Sequence, residues 1–295
     1  MRVVLVTSRS FGQVVPVGKE LLISSGFKLR RISPTPESPL SPKDLAAVVK
    51  REDPYAIVCG AEPITGDVLA ASKKLRLVVK HGVGVDNIDL DAATSLDIAV
   101  AYTPDTNTEA VADLTIGLML VLSRGICRAN SSTRQGGWDR YVGHELGAMT
   151  VGLIGTGKIG SAVVRRLSPF GTNIVGHDFA PNATLTSKYG LRYVSLDELL
   201  STADIVSLHV PLTKETRGMI GARELSLMKS TAYLVNTARG GLVDEEALYE
   251  YLKTHRIAGA ALDVFSKEPP RDNPLLQLDN VIAVSYTHLT LPTKA

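Results

Sequence analysis

The stretch VGLIGTGKIG, residues Val151–Gly160, decides the predicted fold. Three of its glycines, Gly155, Gly157 and Gly160, stand in a G-x-G-x-x-G spacing, after an apolar run and before a segment of helical periodicity. In such a strand–turn–helix unit the first glycine permits a tight turn, the second lets the backbone approach a pyrophosphate, and the third lets helix and strand pack closely. The stretch therefore predicts a dinucleotide-binding turn in an α/β fold.

The residues after the first glycine supply a cradle of backbone N–H groups, at Thr156, Gly157, Lys158, Ile159 and Gly160. N–H groups at the start of a helix attract phosphate charge. Asp178 closes the next apolar run, where a carboxylate can accept hydrogen bonds from the adenosine ribose and would repel a 2′-phosphate. No arginine follows in FAPNAT, so we expect NAD rather than NADP. The alternative is a glycine turn that binds no ligand.

Short β-rich runs alternate with helical patterns on both sides of this stretch. The candidate strands are 3–7, 29–33, 56–60, 75–80, 98–102, 150–155, 173–178, 205–210, 232–238, 258–264 and 280–285. Alternation of this kind predicts parallel sheets covered by helices on both faces. The fold class is therefore α/β, with two Rossmann-like, doubly wound parallel-sheet domains, the first of them flavodoxin-like.

Three further segments organise the chain. Helices are predicted at 42–53, with Ser41 as N-cap, and at 106–124, where apolar residues recur at intervals of three and four. The proline-rich run at 33–42 predicts a surface loop. The polar, glycine-rich run at 131–148, which contains the single tryptophan, predicts an arm or loop rather than a core element.

Composition limits the classes of partner and compartment. Lys+Arg number 32 and Asp+Glu 30, a net charge of +2 with no dense basic run, which argues against nucleic acid as a partner. No apolar run is long enough to cross a bilayer and the N-terminus lacks a signal-peptide pattern, which argues against a membrane. The two cysteines have neither disulfide nor metal spacing. We expect a cytoplasmic protein that binds no metal.

Three charged residues follow candidate strands of the second series, where ligands bind in open α/β sheets. Arg239 could hold a substrate carboxylate through two parallel hydrogen bonds. Asp263 could face a nicotinamide ring, and a buried Glu268 beside a histidine would raise the pKa of that histidine and fix its tautomer. The alternatives are a local ion pair for Arg239 and a solvated Glu-Pro-Pro turn for Glu268.

Several of these segments carry a family resemblance. The runs LIGTGKIG, HVPLTKETRGMI, LVNTARGGLVDEEAL and GAALDVFSKEPP resemble the D-isomer-specific 2-hydroxyacid dehydrogenase family, and 80–120 is similar to its D-3-phosphoglycerate dehydrogenase branch. The resemblance covers about residues 50 to 284. It implies a substrate-binding domain at 1–101, an NAD-binding Rossmann domain at 102–285 inserted into it, and a homodimer formed through the cofactor domain.

The resemblance also implies a role for individual residues. Arg239 would bind the substrate carboxylate and carbonyl, Glu268 would support a catalytic histidine, and Asp263 would contact the nicotinamide. The remaining positions that would line the cofactor are Val210, Thr237 and Ala238. Those that would meet the substrate in the first domain are Val83 and Gly84, through backbone groups, and Lys80 and His81, which would reach a phosphate.

The implied reaction is hydride transfer between C2 of a D-2-hydroxy acid and C4 of the nicotinamide. It needs close positioning of the two carbons, stabilisation of an oxyanion and movement of one proton. The histidines at 144, 177, 209 and 255 do not match the proton-handling position of the family. Alignment on 280–283 puts Tyr286 there and leaves His288 two residues late, about 6–7 Å along an extended chain.

After Ser285 the family pattern stops, and the ten residues YTHLTLPTKA, 286–295, stand in place of the segment that returns to the substrate domain. We expect this tail to be foreign to the native sequence. On that hypothesis the chain binds NAD but turns over poorly for want of its histidine. Two alternatives to a phosphoglycerate dehydrogenase stay open at this point: a glyoxylate or hydroxypyruvate reductase, and an NAD-binding protein without catalysis.

Overall fold

The computed structural model of the protein describes residues 1–13, 15–32 and 40–284. The chain divides into two compact units, Met1–Asn107 and a second unit that begins at Thr108. Most of the loop predicted at 33–42 lies outside the described residues. So do Ser285, Tyr286, His288 and the tail 286–295, so the expectations for them stay predictions.

The first unit is built on a parallel sheet. Its strands are β1 (Val3–Val6), β2 (Lys28–Arg31), β3 (Ala56–Cys59), β4 (Leu77–Lys80) and β5 (Ala99–Tyr102). Its helices are α1 (Val17–Ser24), α2 (Pro42–Glu52), α3 (Gly66–Ala70) and α4 (Leu90–Ser95). In the described part of the unit the strand order is β2-β1-β3-β4-β5, the flavodoxin-like winding.

Local sequence accounts for how these elements begin. The side chain of Ser41 accepts the N–H of Asp44 at 3.1 Å, and Pro42 occupies the first turn of α2, where its missing N–H costs nothing. The buried face of α2, Leu45 and Val49, packs with Ile57 of β3 in one apolar cluster. Burial of both faces of β3 follows from its unbroken run AIVC.

The second unit carries a longer parallel sheet. Its strands are β6 (Thr150–Ile154), β7 (Asn173–His177), β8 (Arg192–Tyr193), β9 (Ile205–Leu208), β10 (Tyr233–Asn236), β11 (Gly259–Leu262) and β12 (Val281–Ala283). Its α-helices are α5 (Thr108–Arg124), α6 (Ile126–Arg134), α7 (Lys158–Leu167), α8 (Ala183–Tyr189), α9 (Leu196–Thr202), α10 (Ala222–Leu227) and α11 (Glu245–Lys253). Short 3-10 turns lie at Leu146–Ala148, Ser168–Phe170, Gly240–Leu242 and Pro274–Gln277.

The strand order of the second sheet is β12-β11-β10-β9-β6-β7-β8 as far as the chain is described. The chain enters at β6, winds outward to β8, then crosses back to β9 and winds the other way. The order reverses between β6 and β9, and ligands of doubly wound sheets bind at such a reversal, beyond the carboxyl ends of the strands. The glycine loop at 155–160 leaves β6 at this point.

The predicted fold class is confirmed: both units are α/β with parallel sheets. All eleven predicted strands appear, each within about two residues of its expected bounds. The sequence missed β8, and the predicted arm at 131–148 is helical as far as Arg134, where α6 ends. The first compact unit extends to Asn107, and the N–H of Thr103 donates to the carbonyl of Gly82 in that unit at 3.1 Å.

Among the described residues no single helix is both long enough and apolar enough to cross a membrane, and α5 and α6 meet that test only as a pair bent by 62°.

Candidate functional site

The three glycines of the loop have different surroundings. Gly155 has φ +92°, and a β-carbon on it would lie 2.6 Å from the carbonyl oxygen of His209. A β-carbon on Gly160 would clash with the carbonyl oxygen of Gly155, whereas one on Gly157 would meet no atom within 4 Å. The loop is therefore closed by tight packing at its ends and open at its middle, which is what the approach of a diphosphate to backbone requires.

The start of α7 faces this opening. Gly157 is the N-cap residue and provides no side-chain acceptor for the first turn of the helix. The hydroxyl of Ser161 donates to the carbonyl of Thr156 at 2.8 Å and so fixes the loop on the helix. The N–H groups of the first turn and the positive end of the helix dipole together make a site for an anion.

Asp178 stands one residue beyond β7, beside the loop. Its Oδ2 accepts the N–H of Thr156 at 2.6 Å and the hydroxyl of Thr156 at 2.9 Å, and its Oδ1 accepts the N–H of Ala180 at 2.9 Å. Burial alone would raise the pKa of this carboxyl, but the hydrogen bonds from Ala180 and Thr156 and the nearby His177 outweigh it and hold the pKa below its usual value. The side chain is therefore a fixed carboxylate.

His209 and Val210 follow β9, across the strand reversal from the loop. A methyl of Val210 lies 2.8 Å from where a β-carbon on Gly155 would stand, so Val210 packs on the tight turn. The Nε2 of His209 lies 2.9 Å from the hydroxyl of Ser207. Burial lowers the pKa of His209 to about 4, so its imidazole is neutral at neutral pH.

The turn after β10 is organised by a buried asparagine. Asn236, 1% exposed, donates from Nδ2 to the carbonyl of Arg239 at 2.9 Å and accepts the N–H of Ala238 on Oδ1 at 3.0 Å. The hydroxyl of Thr237 lies 2.9 Å from that of Thr115 on α5. Arg239 is half-buried and donates from Nη1 to the carbonyl of Ala238 at 2.7 Å. This amide clamp sets the direction of the arginine.

The loop after β11 is packed against that turn. The N–H of buried Asp263 donates to the carbonyl of Asn236 at 3.0 Å, and a β-carbon on Gly240 would overlap the backbone of Phe265. The Oε1 of Glu268 accepts the N–H of Phe265 at 3.0 Å. Glu268 is exposed rather than buried, so in the described residues its carboxylate holds its own loop. The structure therefore brings Arg239, Asp263 and Glu268 to one edge of the second sheet.

The substrate residues predicted in the first unit follow β4. The Nζ of Lys80 donates to the carbonyl of Gly60 at 2.6 Å and to Oδ1 of Asn87 at 2.7 Å. The Nδ1 of His81 lies 2.9 Å from the hydroxyl of Ser8. Burial lowers the pKa of His81, and the neighbouring charge of Lys80 lowers it further.

Val83 and Gly84 lie in the turn after this pair and are half-buried. Gly82, with φ +155°, leads the chain into the turn, where its N–H donates to the hydroxyl of Thr103 at 3.1 Å. A turn held at one end in this way leaves the next backbone groups in a defined position. Val83 and Gly84 stay predicted substrate contacts.

Sequence reasoning missed three polar side chains that organise the second unit. Asn236 ends an apolar strand, so a buried amide there was a detectable signal. Thr115 is one hydroxyl in a long apolar helix, and Tyr193 lies on the two-residue strand β8, which is too short for any periodicity. In the part of the chain that the structure covers, no group of three His, Cys, Asp or Glu side chains is arranged around a possible metal.

Comparison with known proteins gives the family. Residues 116–287 match the profile "D-isomer specific 2-hydroxyacid dehydrogenase, NAD binding domain", which is more than half of the chain. The chain belongs to the D-isomer specific 2-hydroxyacid dehydrogenase family. The resemblance stated from the motifs is thereby confirmed, and NAD as the cofactor is confirmed at the level of the family, whose matched domain is the NAD-binding one.

Relatives within this 2-hydroxyacid dehydrogenase family have more than one activity. The chain is 46% identical over 250 residues to D-3-phosphoglycerate dehydrogenase of Methanocaldococcus jannaschii, which covers 84% of this chain and 48% of that protein. It is 42% identical over 265 residues to glyoxylate reductase of Korarchaeum cryptofilum. That alignment covers 86% of this chain and 80% of that protein. The chain thus spans about half the length of the first of these relatives.

A solved 2-hydroxyacid dehydrogenase has the same fold. The crystal structure of D-lactate dehydrogenase from Aquifex aeolicus, complexed with NAD and lactic acid, superposes with a TM-score of 0.85 at 31% identity, over 97% of this chain and 89% of that one. Because relatives at similar identity bear different substrate names, family membership alone does not define the hydroxy acid.

Proposed function

We propose that this protein is an NAD-dependent dehydrogenase that transfers a hydride between C2 of a D-2-hydroxy acid and C4 of the nicotinamide. The observation that carries the proposal is the clamp of Asn236, which ties the Arg239 turn to the Asp263 strand at the sheet edge where the glycine loop opens. Anion cradle, ribose acid and guanidinium thus stand along one edge of one sheet, as a dinucleotide and its reacting partner require.

The residues present fit the cofactor. The opening over Gly157 is the space that a β-carbon would fill, and it faces the start of α7. Gly155–Gly160 would hold the diphosphate, Asp178 the adenosine ribose, and Asp263 the nicotinamide. The further residues that would line the cofactor are Val210, Thr237 and Ala238. NAD, when bound, supplies the hydride acceptor.

Arg239 would do most of the work on the substrate. Its guanidinium presents parallel N–H donors that match a carboxylate, and the same charge would stabilise the oxyanion that develops on C2 oxygen. The backbone at Val83 and Gly84 would hold the carboxylate as well. Glu268 would act as a positioning residue for the proton-handling group.

Proton transfer is assigned to none of the four histidines between Thr108 and residue 284. His209, beside the glycine loop, is neutral because its pKa is about 4, so it has no proton to give at neutral pH. His177 contacts the carbonyl of Val194 at 3.2 Å through Nδ1. The remaining histidines of this part are His144 and His255, and no contact joins either to the Arg239 turn among those described. The family's proton-handling position falls at Tyr286, outside the described residues, so we keep the hypothesis that this chain lacks its catalytic histidine and turns over poorly.

The similarity to the phosphoglycerate dehydrogenase of M. jannaschii supports 3-phosphoglycerate as the substrate. A second candidate, glyoxylate or hydroxypyruvate reduction, is favoured by the geometry of the first unit. Lys80 donates to Gly60 and Asn87, the pKa of His81 is lowered, and the carboxylate of Glu62 accepts the N–H of Gly60 at 2.9 Å. A phosphate dianion here would compete with Gly60 and Asn87 for the ammonium of Lys80 and would lie near the Glu62 carboxylate, which disfavours it.

An assay with a panel of acids tests both candidates. We expect slow NAD-linked turnover of a D-2-hydroxy acid or its keto form, because the proton-handling position holds Tyr286 instead of a histidine. The kcat/KM for 3-phosphohydroxypyruvate is compared directly with that for hydroxypyruvate and glyoxylate. Arg239→Gln should lower kcat/KM by about 100-fold or more, as loss of an oxyanion donor does, while the Kd for NAD stays within about twofold.

The matched control is Arg223→Gln, which removes an exposed guanidinium paired with Asp197 at 2.7 Å on α9 and should leave kcat/KM unchanged. Binding of NAD without turnover of any acid, both in this chain and in a Tyr286→His variant with the native tail restored, would favour the third candidate, an NAD-binding protein without catalysis. Absence of NAD binding would contradict the proposed function altogether.

We also propose that the protein pairs with a second copy of itself through the NAD-binding unit. Trp138 and Val142, in the segment after α6, are 89% and 95% exposed, and Ile126 at the start of α6 is 48% exposed. A tryptophan fully open to water is uncommon in a monomer, and aromatic side chains of this kind anchor interfaces. We assign the pairing to the exposed apolar side chains of Ile126, Trp138 and Val142.

A further inference from the structure

A hydrogen-bond chain at the adenosine end of the second unit is not used by the proposed chemistry. It begins at the N–H of Asn182, which donates to the hydroxyl of Tyr193 at 2.9 Å. The Tyr193 hydroxyl lies 2.8 Å from the hydroxyl of Thr156, and Thr156 contacts Oδ2 of Asp178 at 2.9 Å. Three groups from three separate segments are thus linked to the carboxylate that would hold the ribose.

The direction of the protons in this chain follows from the donors available. The Asp178 carboxylate can only accept, so the single hydroxyl proton of Thr156 must point to it. Thr156 can then only accept from Tyr193, and the phenol must donate to Thr156. The phenol oxygen in turn accepts from the backbone N–H of Asn182. Every group is satisfied in one orientation, and such one-way chains strengthen each of their members.

The chain also determines which acceptor sites of Asp178 are left. A carboxylate has about four lone-pair sites. Both sites of Oδ2 are taken by Thr156, through its N–H and its hydroxyl, and one site of Oδ1 is taken by the N–H of Ala180. One site on Oδ1 remains for a ribose hydroxyl. A carboxylate held at three sites cannot turn away from a phosphate placed on the same ribose.

Packing holds the two hydroxyls in place. The strand β8 pairs with β7 in the register that sets Tyr193 beside Gly176, two residues before Asp178. The Tyr193 ring packs on the apolar cluster between the sheet and its helices. A β-carbon on Gly176 would lie 3.3 Å from the methyl of Thr156, so the missing side chain of Gly176 leaves room for that methyl. Neither hydroxyl can swing without losing an apolar contact.

We propose that Tyr193 is a positioning residue that fixes Asp178 through Thr156 and so sets the preference for the unphosphorylated ribose of NAD over the 2′-phosphate of NADP. The inference rests on the proposed function in that NAD is the cofactor. It assigns a role in cofactor selection to a residue outside the glycine loop. The carboxylate of Asp178 alone would discriminate less well against NADP, since an unrestrained aspartate could rotate away from the 2′-phosphate.

Tyr193→Phe tests the proposal, because it removes only the hydroxyl. The dissociation constants of NADH and NADPH are measured by titration with the full chain. Loss of one hydrogen bond to the network should raise the Kd of NADH about threefold to tenfold. The Kd of NADPH should change less, so the ratio of the Kd of NADPH to the Kd of NADH should fall. The control is Tyr189→Phe, a half-buried tyrosine on α8 that packs on the same cluster and should leave both constants unchanged.

Variants at Thr156 separate positioning from a structural effect. Thr156→Val keeps the shape and removes the hydroxyl, so it should reproduce the lowered ratio, and Tyr193→Phe should add nothing to it in the double variant. Thr156→Ser keeps the hydroxyl and should preserve the ratio. Equal weakening of NADH and NADPH, or additive effects in the double variant, would overturn the proposal. If the unaltered chain bound no NADH, the proposed function would fail as well. Failure of the proposed function is thereby distinguished from failure of the role proposed for Tyr193.

Discussion

At the scale of single residues, Gly157 and Gly160 predict opposite consequences for one added methyl group. Gly157→Ala places the methyl in open space at an ordinary φ of −60°, so the free energy of unfolding should change by less than about 1 kcal/mol. The methyl occupies the path of the diphosphate, however, so the Kd for NAD should rise at least about tenfold. Calorimetric titration and urea unfolding of the same sample measure both quantities.

Gly160→Ala is the matched change three residues on. Its methyl would clash with the carbonyl oxygen of Gly155, which is backbone and cannot move aside, so unfolding should become easier by about 1–3 kcal/mol in spite of the better helix propensity of alanine. A stable Gly160→Ala protein would contradict the close packing assigned to Gly160. A Gly157→Ala protein with unchanged NAD affinity would contradict the diphosphate contact assigned to Gly157.

Residues whose role depends on local spacing could be predicted, and those whose role depends on a distant partner could not. The glycine loop and Asp178 follow from one strand, one turn and the next strand end. Lys80 was expected to reach a phosphate, but the sequence could not show that Gly60 and Asn87 occupy its ammonium group. The link of Tyr193 to Thr156, 37 residues away, depends on which strands become neighbours.

At the scale of elements, the prediction about dimer formation concerns α6 and the segment that follows it. Trp138→Ser with Val142→Ser removes two exposed apolar side chains of the proposed interface. The protein should then elute as a monomer where the unaltered chain elutes as a dimer, measured by light scattering during gel filtration. The matched control is Phe179→Ser. It removes a side chain of similar exposure, 94%, from the segment that follows β7. Dimers that survive the double change would place the interface elsewhere.

The elements also show where pattern ceases to be informative. Short, largely apolar runs such as β9 and β11 are buried on both faces, so the sequence identified them from composition alone. The strand β8 has two residues and forms only because β7 offers a free edge, a property of the assembled sheet. The start of the predicted arm is helical to Arg134 because it forms the end of α6, a polar helix that begins after Gly125 in the left-handed conformation.

At the scale of the whole molecule, the two units should respond to different ligands. NAD at about 100 times its Kd stabilises what it binds by about 2.7 kcal/mol. The diphosphate and ribose residues all belong to the unit that begins at Thr108, so NAD alone should slow hydrogen exchange in peptides spanning β6–α7 and the Arg239 turn. Peptides from β1 and β3 in the first unit should be unaffected, and they serve as the internal reference.

Addition of a 2-keto acid analogue such as oxamate, with NAD present, should then slow exchange at 80–84 in the first unit, because the backbone of Val83 and Gly84 is proposed to hold the carboxylate. The analogue without NAD should have a smaller effect, since the nicotinamide would complete its binding surface. If NAD protects the second unit but the analogue leaves 80–84 unchanged, the cofactor assignment stands and the substrate role of the first unit does not. Protection at 80–84 by NAD alone would mean that these residues respond to the cofactor. The assignment of substrate binding to the first unit and cofactor binding to the second would then be wrong.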